Sequence, residues 1–167
     1  MDKEIIYFAK LDETTIIPSK RDEDAGYDIY ANFKEDYMII LPNETKLIPT
    51  KLASVCSPDF RFQLWERGST GTKGMGQRCG VIDSGYRNEW IIPITNHNNI
   101  PIVIIKKDAV KDETLLKQIA VVYPYEKAIA QATLERVEKA EVKEISEEDL
   151  KNFKSERGMG RLGSSGK

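Results

Sequence analysis

The run Glu66-Arg67-Gly68-Ser69-Thr70-Gly71-Thr72-Lys73-Gly74-Met75-Gly76-Gln77-Arg78-Cys79-Gly80-Val81-Ile82-Asp83-Ser84-Gly85-Tyr86-Arg87 reads as the working part of the chain. Its first half is poor in apolar residues and rich in Gly, Ser and Thr, which predicts a loop whose main chain a ligand can approach. Arg67, Lys73 and Arg78 sit among the glycines. Cations and backbone N–H groups in a Gly-rich turn suit phosphate oxygens. The P-loop pattern fails, because Lys73 is followed by Gly74 rather than Ser or Thr. Asp83 then follows two β-branched residues, with Tyr86 three positions on. A carboxylate beside a phosphate site repels the anion, so it must hold a cation, orient a water or pair with an arginine. The plain alternative is a surface loop followed by a structural Asp in a turn.

The chain has 167 residues, enough for one domain with a real core. With 25 basic against 27 acidic residues and a net charge of −2, there is no electrostatic case for a nucleic-acid partner. Cys56 and Cys79 match no metal spacing and no disulfide framework, so reduced thiols and a cytoplasmic setting are expected. His97, the single histidine, lies in the polar turn Asn96-His97-Asn98-Asn99 and reads as a solvated loop residue. Zinc and Ser-His-Asp chemistry are therefore not expected. No apolar signal segment opens the chain and no run approaches membrane-spanning length, so no membrane partner is expected.

Outward from the central run, strand-sized apolar segments recur between Pro and Gly punctuation. They are residues 5–11, Asp24–Ala31, Tyr37–Leu41, Lys46–Ile48, Lys51–Cys56, Phe60–Trp65, Glu89–Thr95, Pro101–Ile105 and Ala128–Val137. Such spacing predicts a sandwich or barrel. The Asn-rich turn should join Glu89–Thr95 and Pro101–Ile105 as a hairpin. Gly26 interrupts its strand as at a bulge or a close backbone approach. Alternation puts Asp28 on the opposite face from Tyr27 and Ile29, where a carboxylate needs a partner or water. Residues 106–125 differ. Apolar residues at 115, 116, 119 and 120 predict one short helix with a single apolar face, ending at Pro124. Ser146 followed by Glu147, Glu148 and Asp149 predicts a second short helix that stops before Ser155. The tail Arg157–Lys167 contains Gly158, Gly160 and Gly163 in a G-x-G-x-x-G pattern, but no helix can follow it, so the dinucleotide reading is rejected. Its arginines, serines and glycines suit either a disordered tail or an arm that orders over phosphates.

Taken in order, five segments resemble the motifs of the trimeric dUTP pyrophosphatases (dUTPases). They are Ala25-Gly26-Tyr27-Asp28-Ile29; Arg67 with Lys73; Gly80-Val81-Ile82-Asp83-Ser84-Gly85-Tyr86-Arg87; Ile129-Ala130-Gln131; and the tail Arg157–Gly166. The resemblance implies an all-β, jelly-roll-like fold with one or two short helices. It implies a β-rich domain over 1–155, a helical insertion at 106–125, and a C-terminal arm at 156–167 exchanged between subunits of a homotrimer with shared active sites. It also implies Mg2+ held mainly by substrate phosphates, and hydrolysis of dUTP to dUMP and pyrophosphate. Asp83 would activate a water for attack on the α-phosphorus, and Tyr86 would pack under the deoxyribose and exclude a 2′-hydroxyl. Arg67 and Arg157 would neutralise the triphosphate. Asp28 would hold the metal through water or brace the arginine network. Gln131, Ser164 and Ser165, with Gly163, would bind phosphate oxygens. The backbone from Gly76 to Val81, with Gln77, Gly80 and Ile82, would read the uracil edge.

Some positions depart from the family pattern. Gly68 stands where Ser is usual, with Ser69 next. Gln77 replaces an Asn or small residue, Leu162 replaces a Phe that stacks on the base, and Arg161 replaces a Gly. Leucine keeps apolar cover but forgoes an aromatic face worth ~0.5–1.5 kcal/mol. The 106–125 segment is longer than in compact members, and either decorates the trimer edge or binds a protein partner. The alternatives are a dCTP deaminase-like or bifunctional enzyme, and a non-catalytic regulatory binding protein on the same fold.

Overall fold

The computed structural model describes residues 4–110, 112–158 and 160. They form two compact units, Met1–Val137 and Glu138–Lys167. The first unit carries twelve strands and two short helices. In order they are β1 (Tyr7–Lys10), β2 (Tyr27–Ile29), β3 (Tyr37–Ile40), β4 (Thr45–Pro49), β5 (Leu52–Val55), β6 (Phe60–Trp65), α1 (Gly68–Gly71), β7 (Met75–Gln77), β8 (Val81–Ile82), β9 (Ile91–Asn96), β10 (Ile102–Ile105), α2 (Glu113–Ile119), β11 (Val121–Pro124) and β12 (Ala130–Arg136). The second unit holds α3 (Glu147–Asn152), whose N-cap Ser146 accepts from the Asp149 N–H at 3.0 Å, as the sequence predicted. No helix of the described residues is long and apolar enough to cross a membrane.

The strands pair as β1-β5, β11-β10-β3, β2-β12-β6-β8 and β4-β9-β7. Their inward residues meet in one core that includes Ile29, Phe62, Leu64, Ile92, Ile94 and Ile104. At its centre Trp90 is fully buried, with its ring centroid 5.0 Å from Phe62 and 5.8 Å from Phe8. Edge-on aromatic pairs of this kind add ~0.5–1.5 kcal/mol each beyond their buried area. Among the described residues the Trp90 indole N–H finds no acceptor, which costs about 1–3 kcal/mol.

Three local expectations fail, each for a physical reason. The Asn-rich segment is no hairpin: β9 pairs with β4 and β7, whereas β10 pairs with β3 and β11. Asn96, fully buried, makes the crossing possible. Its amide donates to the carbonyls of Ile40 and Ile100, both at 2.9 Å, and its Oδ1 accepts the Asn98 N–H at 2.9 Å. The helix in 106–125 ends at Ile119, and Pro124 closes a strand instead. That strand, β11, runs parallel to β10 and buries Tyr123 completely. Nor does α2 have a single buried face: Leu116 and Ala120 pack on Val103 and Ile105, while Leu115 and Ile119 stay exposed. Finally, Gly68–Gly71 forms one helical turn rather than an open loop. The Thr70 hydroxyl accepts from the Arg67 N–H at 3.1 Å and donates to the Arg67 carbonyl at 2.9 Å, closing that turn.

Candidate active site

Alternation builds the first half of the site on the sheet β2-β12-β6-β8. Ile29, Ala130, Ala132 and Leu64 point into the core. The residues between them must then face out. Asp28 pairs with Gln131, and Gln131 with Trp65, so these three stand side by side on one outward rung. Arg67, two residues past Trp65, reaches back across the rung. Its Nε lies 3.0 Å and its Nη2 3.2 Å from the Asp28 carboxylate oxygens. Its Nη1 donates to Ser69 Oγ at 3.2 Å and to the Ala128 carbonyl at 3.3 Å. That carbonyl also accepts from the buried Tyr123 hydroxyl at 2.6 Å. The guanidinium is thus held in one orientation with donor capacity to spare for an anion. Burial is the main cause that raises the Tyr123 pKa, so the phenol stays protonated and can keep donating.

Gln131 is fixed from two sides. Its amide nitrogen donates to the Glu66 carbonyl at 2.8 Å. Its Oε1 lies 2.6 Å from where a Cβ on Gly26 would sit, so the strand break at Gly26 is a close approach that leaves the Gln131 side chain its present position. Asp28, Arg67, Gln131 and Gly26 line a cleft of about 720 Å3, whose far wall is the segment Ser19–Ala25. On that wall the Asp24 carboxylate pairs with Arg21 at 2.8 Å, which holds its pKa below the usual carboxylate range.

The second half lies at the other edge of the same sheet. Ile82 turns inward opposite Phe62, and Val81 turns outward opposite Gln63. Asp83 follows on an exposed turn closed by the Tyr86 N–H on the Asp83 carbonyl at 3.0 Å. The Tyr86 hydroxyl donates to the Glu89 carbonyl at 3.0 Å. The Glu89 carboxylate in turn accepts the backbone N–H groups of Thr50 and Lys51 at 3.1 and 2.9 Å. The backbone of the turn is therefore fixed, whereas among the described residues no hydrogen bond reaches the Asp83 carboxylate. Three strand spacings separate the β2 and β8 edges, ~14 Å at ~4.8 Å each.

Between the halves lies the segment 76–81. The Leu64 N–H donates to the Gly80 carbonyl at 2.7 Å, tying the segment to β6. The Gln77 amide is turned onto its own loop and donates to the Cys79 carbonyl and, at 2.8 Å, to Cys79 Sγ. The Gln77 side chain is therefore engaged within its own loop. A Cβ on Gly68 would meet nothing within 4 Å, and Ser69 supplies the nearby hydroxyl. His97 is exposed, as expected of a loop residue, and its Nε2 lies 3.0 Å from Arg78 Nη2. Arg157 is exposed in the second unit. Arg161, Leu162, Gly163, Ser164 and Ser165 lie outside the described residues. Sequence reasoning missed Tyr123, Ala128 and Glu66 as supports. Tyr123 sits on an unrecognised strand, Ala128 acts through a backbone carbonyl that carries no side-chain signal, and Glu66 supports the site through its carbonyl and its carboxylate together.

No group of three or more His, Cys, Asp or Glu among the described residues could hold a metal ion. Asp28, already paired with Arg67 and about one-third exposed, can contribute one carboxylate to a cation held chiefly by other ligands.

Comparison with known proteins agrees with this arrangement. Residues 12–110 match the dUTPase family model. The chain is 33% identical over 162 residues to the deoxyuridine 5′-triphosphate nucleotidohydrolase of Nautilia profundicola, covering 95% of this chain and 96% of that protein. It is 30% identical over 144 residues to the Candida albicans protein of the same name, covering 86% of this chain and 76% of that one. In fold it is similar to a Staphylococcus bacteriophage 80alpha dUTPase solved with dUpNHpp, at a TM-score of 0.75 and 23% identity over 98% of this chain and 99% of that one. The sheets described above are the jelly-roll-like arrangement of those proteins, and the chain belongs to the dUTPase family.

Proposed function

We propose that this chain hydrolyses dUTP to dUMP and pyrophosphate. The observation that carries the reading is the contrast between its two aspartates. Asp28 is neutralised by Arg67, while Asp83 offers an unengaged carboxylate on an anchored turn. Asp83 orients a water and takes its proton as the water oxygen bonds to the α-phosphorus. The bond from that phosphorus to the α–β bridging oxygen breaks, and pyrophosphate leaves. Arg67 donates to phosphate oxygens and stabilises the charge that develops there. Gln131 and Ser69 add hydrogen bonds, and Tyr86 packs under the deoxyribose. The backbone of 76–81 pairs with uracil, and cytosine leaves those buried groups unpaired at ~1–3 kcal/mol each. Mg2+ would supply neutralising charge when bound with the substrate, and Asp28 is the residue that would help hold it. By the resemblance to the family, Arg157, Leu162, Gly163, Ser164 and Ser165 are assigned to substrate binding.

The active sites are shared within a homotrimer. Asp28 and Asp83 occupy opposite edges of one sheet, which supports a site completed by a neighbouring copy.

Pyrophosphate release from dUTP, dCTP, dTTP and UTP, measured side by side with magnesium, tests the proposal. Only dUTP should turn over well, and Asp83→Asn should lower kcat by roughly 10²–10⁴-fold. Equal rates for wild type and variant would overturn it.

A further inference from the structure

A carboxylate directly before the phosphate-binding arginine is electrostatically misplaced unless it has another task. Glu66 has three. Its carbonyl accepts the Gln131 amide at 2.8 Å. Its Oε1 accepts the Gln77 N–H at 3.0 Å. Its Oε2 lies 3.4 Å from the position of a Cβ on Gly71, against the one-turn helix α1. One residue thus bonds to the rung that carries Gln131 and to strand β7, and lies beside the turn that follows Arg67.

The bond to Gln77 falls at a particular place. β7 is the last strand of β4-β9-β7 and pairs only with β9, through Met75–Asn96, Gly76–Thr95 and Gln77–Ile94. The next N–H along, that of Arg78, turns inward to the Pro93 carbonyl at 2.9 Å. The Gln77 N–H therefore faces the open edge, where nothing in the sheet can satisfy it. Glu66 closes that edge with a charge-assisted bond, stronger than a neutral one. The chain that follows is the 76–81 segment. Its inner side is set by β9 and its outer side by Glu66.

We propose that Glu66 is a positioning residue that locks the base-reading backbone to the phosphate rung and thereby sets discrimination between uracil and other bases. This rests on the reading of 76–81 as the base-contacting segment. The lock needs an acceptor oxygen at Oε1, so glutamine serves in part, without the charge, and alanine does not.

The test uses the full chain and compares Glu66→Ala, Glu66→Gln and wild type with dUTP and dCTP. Glu66 is exposed, so both variants should keep the wild-type melting temperature. In Glu66→Ala, KM for dUTP should rise about tenfold, the scale of one lost charge-assisted bond, with a smaller change in kcat. Its preference for dUTP over dCTP in kcat/KM should narrow by a similar factor. Glu66→Gln, which keeps an acceptor oxygen but not the charge, should recover part of both. A Glu66→Ala protein that separates the two nucleotides as well as wild type overturns this inference alone, as does a glutamine variant no better than alanine. A wild type that does not separate them overturns the base-reading assignment as well.

Discussion

Two aspartates on one sheet have been given opposite surroundings. Asp28, on the β2 edge, faces a guanidinium at 3.0 Å that is itself held by Ser69 and by a carbonyl shared with Tyr123. Asp83, past the β8 edge, sits on a turn whose backbone is fixed while its carboxylate is left without a hydrogen bond among the described residues. A carboxylate locked to an arginine is a poor base, because its negative charge and its lone pairs are already engaged. A carboxylate on a rigid turn in water keeps both. The fold separates an acid paired with a cation from an acid left open to solvent by placing them on different edges, not by changing the residue type.

The largest break in that contrast is Asp83→Asn, with the loss in kcat given above. Asp28→Asn should come next. It leaves Arg67 hydrogen-bonded but unpaired in charge, and kcat/KM for dUTP should fall about thirtyfold, roughly 2 kcal/mol for one charge-assisted contact. A loss as deep as that of Asp83→Asn would mean that the two acids share one role. Gly26→Ala acts on the Asp28 edge without touching a charge. Its Cβ would meet Gln131 Oε1, the far end of a flexible side chain, so Gln131 swings away. KM should rise about fivefold, near 1 kcal/mol, with the melting temperature nearly unchanged. Tyr86→Phe removes the hydroxyl bond that helps hold the Asp83 turn and should cost the least, about threefold in kcat. An unchanged kcat would shift the anchoring of that turn onto its backbone bond alone.

The alternation on β2 and β12 made the Asp28 edge legible in the sequence. A carboxylate between Tyr27 and Ile29, and a glutamine between two alanines, leave few choices of face. Phe60–Trp65 declared its strand through its own apolar spacing. The Asp83 turn was legible from its Gly, Ser and Tyr pattern. What stayed hidden was set by distant partners. β8 has two residues and β7 three, too short for a period to register. β11 was read as the end of a helix because the apolar spacing of 115, 116, 119 and 120 runs straight into it, and only its pairing with β10 separates the two. The crossing at Asn96 looked like a hairpin because its turn chemistry is genuine. A single buried amide, bonded to Ile40 and Ile100, sends the next strand to a different sheet.

The chain has two tryptophans, and their contrasting burial gives the molecule two separate optical reporters. Trp90, sealed among Phe8 and Phe62, emits from an apolar medium and registers whether the core is intact. Trp65 is 48% exposed and stands beside Gln131 on the outward rung, so its light senses the solvent and whatever comes to rest next to Gln131.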